Sequence, residues 1–288
     1  MSQPLYLVVD KPAKICYNVG LSQKHTNNGG CLTKPRTLFY DLETSLQLAA
    51  VFQLAHNDYI HPDSLVSERY IICGSYKWEG NNKVHSVSVL DAAKRFKKDP
   101  QDDFHVVKSL HAVLSSADII VAHNNDGFDK KYLDTRILYH GLPALPPVVS
   151  IDTLKVAKSR FLFNSNKLDY LGGYLKVGRK IKTSPGLWMR VMNGDVAAIK
   201  SMIRYNQEDV RLLERVYNKL KPYIPNAVNF ELFGSDGCPR CGATSGIQSR
   251  GVHRAISRVY QRFQCQTCGG WFRSVLNDKD TKVKSRVL

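Results

Sequence analysis

TLFYDL, residues 37–42, with Glu43 directly behind it, is the stretch on which the reading of this chain turns. Its short apolar run, rich in β-formers and closed by carboxylates, predicts a buried strand. Strand side chains repeat every two residues, so Asp41 and Glu43 leave on the same side. One strand end thus delivers two of the oxygen donors that a hard divalent cation takes.

Working outward, residues 69–78 (RYIICGSYKW) and 83–89 read as two further strands. Residues 102–116 place Val106, Val107, Leu110, Val113 and Leu114 on one helical face, and DIIVA (118–122) follows as a short buried strand. Helical spacing returns over 128–139, stopped by Gly141 and the prolines beyond; 148–151 predicts another strand, and 153–220 is expected to be largely helical. In the last helix, from about Asp195, Val196, Ile199, Ile203, Val210, Leu213 and Val216 keep an approximately helical period. This alternation of helices and strands is that of an α/β domain.

Two further polar patches complete a carboxylate set. In VAHNNDGFDKKYL (121–133) a strand runs into a polar turn, and Asp129 falls in the first turn of the helix that follows. In RYNQEDVRLLE (204–214) Tyr205 and Asp209 are four apart and share a helix face. A phenol beside a metal-held carboxylate can orient a water. Taken singly, each residue has a plainer reading: Asp129 as a helix N-terminal charge, Tyr205 as a half-buried core aromatic, Asp209 as a surface partner of Arg211 or Arg215. Asp126, Asp134 and Glu208 stand near these patches but off their spacing and are expected to be surface groups.

In these three ordered patches the chain resembles the DEDD exonucleases of the ribonuclease H-like superfamily, specifically the proofreading domains of family B DNA polymerases and their free-standing relatives. DLET carries Asp41 and Glu43; Asn124, Phe128 and Asp129 fit N-x-x-x-[FY]-D; Tyr205 and Asp209 fit Y-x-x-x-D, whose tyrosine marks the DEDDy subgroup. The likeness extends through IDTLKVAKSRF (151–161) and KLDYLGGYL (167–175) to cover roughly residues 37–220. It implies a mixed central sheet flanked by helices and a 3′ to 5′ exonuclease acting on single-stranded or frayed DNA ends. Asp41, Glu43, Asp129 and Asp209 are then ligands of two Mg²⁺ or Mn²⁺ ions, Tyr205 positions the attacking water, and Asn124 and Phe128 are substrate-side contacts. An exoribonuclease or structure-directed nuclease would use the same carboxylates, and contacts to the 2′-OH would decide between them. From a different class, a non-catalytic zinc-ribbon nucleic-acid-binding module is the rival reading. Residues 1–36, which precede the first motif, and a loop inserted at 45–68 depart from the family pattern and bear on substrate length and strand preference.

Cys238, Cys241, Cys265 and Cys268 form two C-x2-C pairs, CPRCG and CQTCGG, the spacing of a closed tetrahedral, structural Zn²⁺ site. Cys16, Cys31 and Cys73 have no ligand-like spacing. SRVYQRFQCQTCGGWFRS (257–274) is similar to the zinc ribbons of transcription and replication proteins, with a strand on each side of the second knuckle. Arg254, Arg258 and Arg262, with Tyr260 among them, are expected on one strand face as contacts to phosphates and bases. From residue 234 on, ten Lys and Arg stand against three Asp, so this segment attracts a polyanion. KRFKK (94–98) and KVGRKIK (176–182) are expected to be solvated faces.

Length and charge agree with this organisation. The 288 residues allow one large domain and a small one at roughly 150 residues per domain. The net charge of +16 fits a nucleic-acid partner, single-stranded DNA in the first instance, and a polymerase or other replication protein as a second. No apolar window spans a membrane and the first residues lack a secretory core, so the expectation is a cytoplasmic protein, in the host cytoplasm if viral. The expected divisions are an N-terminal extension (1–36), a nuclease domain (37–222) and a ribbon with a basic tail (234–288), the boundary lying near Phe233 in the Pro/Gly-rich stretch 221–237. No polymerase domain is expected to follow, so any proofreading would act in trans, as in a free-standing nuclease of phage or bacterial DNA metabolism.

Overall fold

Leu38, Tyr40 and Leu42 are buried in one hydrophobic cluster and Phe39 in another, so strand β1 (Thr37–Thr44) is covered on both faces. A strand buried on both sides belongs at the centre of a sheet with helices above and below. The computed structural model, which describes residues 35–52, 59–184, 186–224, 229, 237–255 and 259–275, has this arrangement. β1 pairs antiparallel with β4 (Ile71–Trp78), which pairs antiparallel with β5 (His85–Ser88). On its other side β1 runs parallel to β6 (Ile119–Ala122), and β6 parallel to β7 (Val149–Asp152). The order is β5-β4-β1-β6-β7, a mixed five-stranded sheet.

Two helices follow β5, the short α1 (Ala93–Lys98) and α2 (Phe104–Leu114). α3 (Asp129–Tyr139) links β6 to β7, and α4 (Thr153–Arg160), α5 (Leu168–Tyr174), α6 (Leu187–Met192) and α7 (Val196–Leu220) complete the layers. α2 buries Val106, Val107, Leu110 and Leu114, the face expected from the sequence, with Val113 half-buried beside them. α7 starts where Asp195 accepts hydrogen bonds from Ala197 N at 2.9 Å and Ala198 N at 3.1 Å, an N-cap. Its first half packs Ala198, Ile199 and Met202 into one cluster; its second half packs Val210, Leu213 and Val216 into the other. α7 therefore ties both layers together. A half-buried ion pair between Lys77 of β4 and Glu214 of α7 adds to that link.

Three expectations change. β1 continues to Thr44, so Asp41 and Glu43 lie within it, opposite Ser75 and Cys73; β4 keeps pairing until a bulge after Glu43. The insertion at 45–68 is not wholly a loop, since β2 (Leu48–Ala49) and β3 (Leu65–Ser67) form a small antiparallel ladder. Residues 161–167 and 175–184 are not helical. After α5 the chain reverses through left-handed backbone at Lys176 (φ 57°) and Gly178 (φ 134°), and Val177 N donates to Gly172 O at 2.9 Å. This crossing needs a bare α5 surface. A Cβ at Gly172 would stand 2.6 Å from Gly178 O and 2.7 Å from a Leu212 methyl, so Gly172→Ala should cost about 1–3 kcal/mol, read as a lowered denaturant midpoint. An unchanged midpoint would mean that the crossing is loose.

A separate three-stranded antiparallel sheet is formed by β8 (Ile247–Arg254), β9 (Val259–Cys265) and β10 (Trp271–Val275). Its first cysteine turn touches the end of the larger unit, where Arg240 donates to Pro222 O at 2.9 Å beyond the last turn of α7. Residues 1–34 of the N-terminal extension, the boundary near Phe233, Arg258 and the tail after Val275 lie outside the described residues. Among the described residues no helix is long and apolar enough to cross a membrane.

Candidate active site

Asp41 and Glu43 from β1 and Asp209 from α7 each offer a carboxylate oxygen, all lying within 4.8 Å of one another. The strand period aligns the first two, and packing of α7 over β1 adds the third. Asp129, in the first turn of α3, is not in that trio; one of its oxygens accepts from Leu42 N at 3.2 Å, which holds it on the adjoining side of β1. Asp209 is fully buried, and among the described residues its Oδ1 has no hydrogen-bond partner. An orphaned buried carboxylate oxygen among like charges is what a cation would satisfy. The donor set therefore fits hard divalent ions.

The protonation equilibria carry the same message. Burial and the charges of Asp129, Glu43 and Asp209 hold Asp41 well above the usual carboxylate range. Burial and then Asp209 push Glu43 up to about 8, and burial pushes Asp129 up to about 7. A carboxyl group whose folded pKa is raised binds more protons in the native state than when unfolded. Without divalent ions, stability should therefore fall as pH rises from the ordinary Glu value of 4.5 through about 8. Bound cations remove that penalty. Thermal melts of protein dialysed free of Mg²⁺ should show Mg²⁺ raising Tm far more near pH 8 than near pH 5.5. An equal rise at both would separate the cation from these carboxylates.

Lys180 enters the cluster as well, which corrects its reading as a solvated face. Its Nζ donates to Asp209 Oδ2 at 2.7 Å and to the Tyr205 hydroxyl at 3.2 Å. Burial works against its charge, but Asp209 and Asp41 outweigh burial and hold its pKa above the normal lysine value. The backbone is pinned by Asp169, which accepts from Lys180 N at 2.8 Å and from the Arg179 guanidinium at 2.8 Å. Tyr205, pushed up to about 12 chiefly by burial and then by Asp209, keeps its proton. Sequence reading missed Asn206, which is fully buried and donates to Asp41 Oδ2 at 2.7 Å. Its spacing of three from Asp209 on one helix face was the available signal.

Asp152 is a second missed residue. Buried at the end of β7, it caps α4 through Leu154 N at 2.9 Å and holds Asn124 N at 2.9 Å. Asn124 stands in left-handed backbone (φ 69°), which asparagine tolerates, and its side chain lies over Gly127, where a Cβ would be 2.4 Å from Oδ1. Phe128 stacks on Tyr132 at 6.0 Å, with the Arg69 guanidinium 5.7 Å from its ring. Asp126, Asp134 and Glu208 pair with Lys155, Lys130 and Arg211 and are not members of the trio. Asp209 pairs with Lys180 and not with Arg211 or Arg215.

In the ribbon the four cysteine sulfurs gather within 4.8 Å of one another. Cys238 and Cys268 are 3.8 Å apart, as are Cys241 and Cys265. A tetrahedron with Zn–S bonds of about 2.3 Å has edges of about 3.8 Å, so the site fits Zn²⁺. Arg254 does not share a strand with Tyr260 and Arg262: it ends β8, opposite Val259, and so faces away from them. The antiparallel pairing of β8 with β9, with a bulge at Ser249/Val252 containing Gly251 (φ 75°), sets this register. On the Tyr260 face, the Arg273 guanidinium lies 4.2 Å from the Tyr260 ring and that of Arg262 lies 6.0 Å from Trp271. Phe263 and Phe272 stack on the other face.

A family model described as the RNase H superfamily matches residues 67–221, more than half of the chain, beginning after β1. No curated protein matches. Among solved structures, the chain is similar to the family B DNA polymerase from the hyperthermophilic archaeon Pyrobaculum calidifontis, at 19% identity and a TM-score of 0.47. That match covers 75% of this chain and 28% of the polymerase, so the chain spans about a quarter of that protein's length.

Proposed function

Since the chain belongs to the RNase H superfamily, whose fold supports nuclease hydrolysis with divalent metals, we propose that it is a 3′ to 5′ exonuclease acting on single-stranded or frayed DNA ends. The observation that carries this reading is the convergence of Asp41, Glu43 and Asp209 within 4.8 Å, with an unsatisfied oxygen on Asp209. Asp129 stands beside them as the fourth ligand. Asp41, Glu43, Asp129 and Asp209 would hold two divalent cations, which would supply charge neutralisation at the phosphate and an activated water.

The chain's own groups do the rest. Tyr205, protonated and tethered to Lys180, presents its hydroxyl to orient the attacking water. Lys180 supplies a fixed positive charge, so the negative charge that builds on the phosphate oxygens meets a preorganised partner. Asn206 holds the Asp41 carboxylate in orientation. Asn124 and Phe128 contact the terminal nucleotide, Phe128 by its ring. The zinc ribbon holds the strand through Tyr260, Arg262, Trp271 and Arg273 by phosphate contact and base stacking. Arg254 joins them from the opposite face, and a polymerase or other replication protein is the second partner class.

The test is degradation of 5′-labelled single-stranded DNA and RNA of one sequence with Mg²⁺ or Mn²⁺. A ladder shortening from the 3′ end, stronger on DNA, is expected. A stronger RNA ladder would move the reading to an exoribonuclease, and discrete internal cuts to a structure-directed nuclease. No cleavage of either, with binding retained, would leave a zinc-ribbon binding module.

A further inference from the structure

We propose that the cavity between α6 and α7 holds backbone phosphates of a single nucleic-acid strand next to the carboxylates. Its volume is about 460 Å³ and Tyr205 forms part of its wall, so it adjoins the carboxylate cluster. Four cations line it from three segments: Lys182 ahead of α6, Arg190 on α6, and Lys200 and Arg204 on α7. All four are exposed.

Arg190 approaches Asp195 at 3.7 Å, but among the described residues Lys182, Lys200 and Arg204 have no carboxylate at ion-pair distance. Cations gathered without counter-charges repel one another, and a polyanion relieves that repulsion. Lys200 and Arg204 are four apart on α7, so their side chains start roughly 5–6 Å from each other on one face. That spacing suits neighbouring phosphates of a strand better than one phosphate held at a point. Leu187 and Ile181 add apolar wall for a sugar or base.

A free mononucleotide offers the same phosphate chemistry. The strand is favoured because four cations exceed the charge of one phosphate group, and because the cavity shares Tyr205 with the carboxylate site. The identity of the polymer rests on the nuclease reading; the binding itself is measured without hydrolysis. KRFKK of α1, an equally basic and exposed run, provides a matched control.

The experiment measures the affinity of a fluorescent oligothymidylate of about ten nucleotides across a salt series. The full-length protein is dialysed free of Mg²⁺ and Mn²⁺ with its zinc retained. Wild type is compared with Lys200→Ala/Arg204→Ala and with Lys94→Ala/Lys97→Ala, which removes the same charge from α1. At low salt the pocket variant should bind roughly tenfold or more weaker, and its log–log salt slope should flatten by about 1.4, close to 0.7 for each lost phosphate contact. The α1 variant should keep the wild-type slope. Identical behaviour of the two variants, or an unchanged slope in the pocket variant, would overturn the proposal. So would competition by thymidine monophosphate that disappears in the pocket variant while oligonucleotide affinity does not change. If wild type fails to cleave with Mg²⁺ yet the slopes differ, the exonuclease reading falls and the pocket stands. If it cleaves and the slopes coincide, the reverse holds.

Discussion

Asp41→Asn should lower the cleavage rate by on the order of 10²–10⁴ while leaving the protein folded and, in the absence of divalent ions near pH 8, more stable than wild type. The two effects share one cause. Asp41 is half-buried beside Asp129, Glu43 and Asp209, so desolvation and these like charges make its negative charge cost folding energy when no cation is present. The amide has the same shape, and its oxygen can still accept from Asn206 Nδ2, now 2.7 Å from Asp41 Oδ2. What it cannot do is donate charge to a metal. A cation at such a site is worth several kcal/mol at the transition state, and each 1.36 kcal/mol is a factor of ten in rate. Steady-state kinetics beside thermal melts make the check. Loss of activity together with loss of stability would mean that Asp41 is a structural residue, and full activity would remove it from the site.

Removing zinc should unfold the ribbon and leave the larger domain intact. The cysteine turns and three strands of the ribbon fall between residues 237 and 275, a structured span near the size, about 40 residues, below which a domain usually needs a metal or disulfides. Its apolar content is small, built around the Phe263 and Phe272 stack at 5.3 Å. Structural zinc contributes about 10–16 kcal/mol in comparable small domains, more than such a core can replace. The five-stranded sheet instead has two hydrophobic clusters of its own, neither of which includes a described ribbon residue. Cys265→Ser, or chelation, should therefore expose the arginines of β8 to β10 to trypsin while the larger domain keeps its melting transition. Oligonucleotide affinity should fall at least tenfold, because the Tyr260 and Trp271 face depends on register. A ribbon that stays protease-resistant without zinc would show that its strands, and not the metal, hold it.

Much of the site was legible because its signals lie within single elements. Asp41 and Glu43 share a strand face by the two-residue period, Tyr205 and Asp209 share a helix face by the four-residue spacing, and the paired C-x2-C turns announce four sulfurs. Lys180 was not legible, since KVGRKIK has the composition of a solvated surface and nothing local distinguishes its fifth residue. Arg254 was misplaced because residues 254–262 look like one alternating strand, while Arg254 ends β8, β9 starts at Val259 antiparallel to it, and β8 carries a bulge.

By itself, then, the sequence determined the order of elements, the faces on which carboxylates and cysteines stand, and the net positive charge. Only the tertiary structure decided that Lys180 and Asn206 enter the carboxylate cluster, that Asp129 stands outside the closest trio, and that Lys182, Arg190, Lys200 and Arg204 ring one cavity. The reason is physical. Periodicity reports which way a side chain points from its own backbone, whereas a meeting between elements depends on how the chain reverses at Lys176 and Gly178 and how α7 packs across β1, and those are set by contacts distant in sequence.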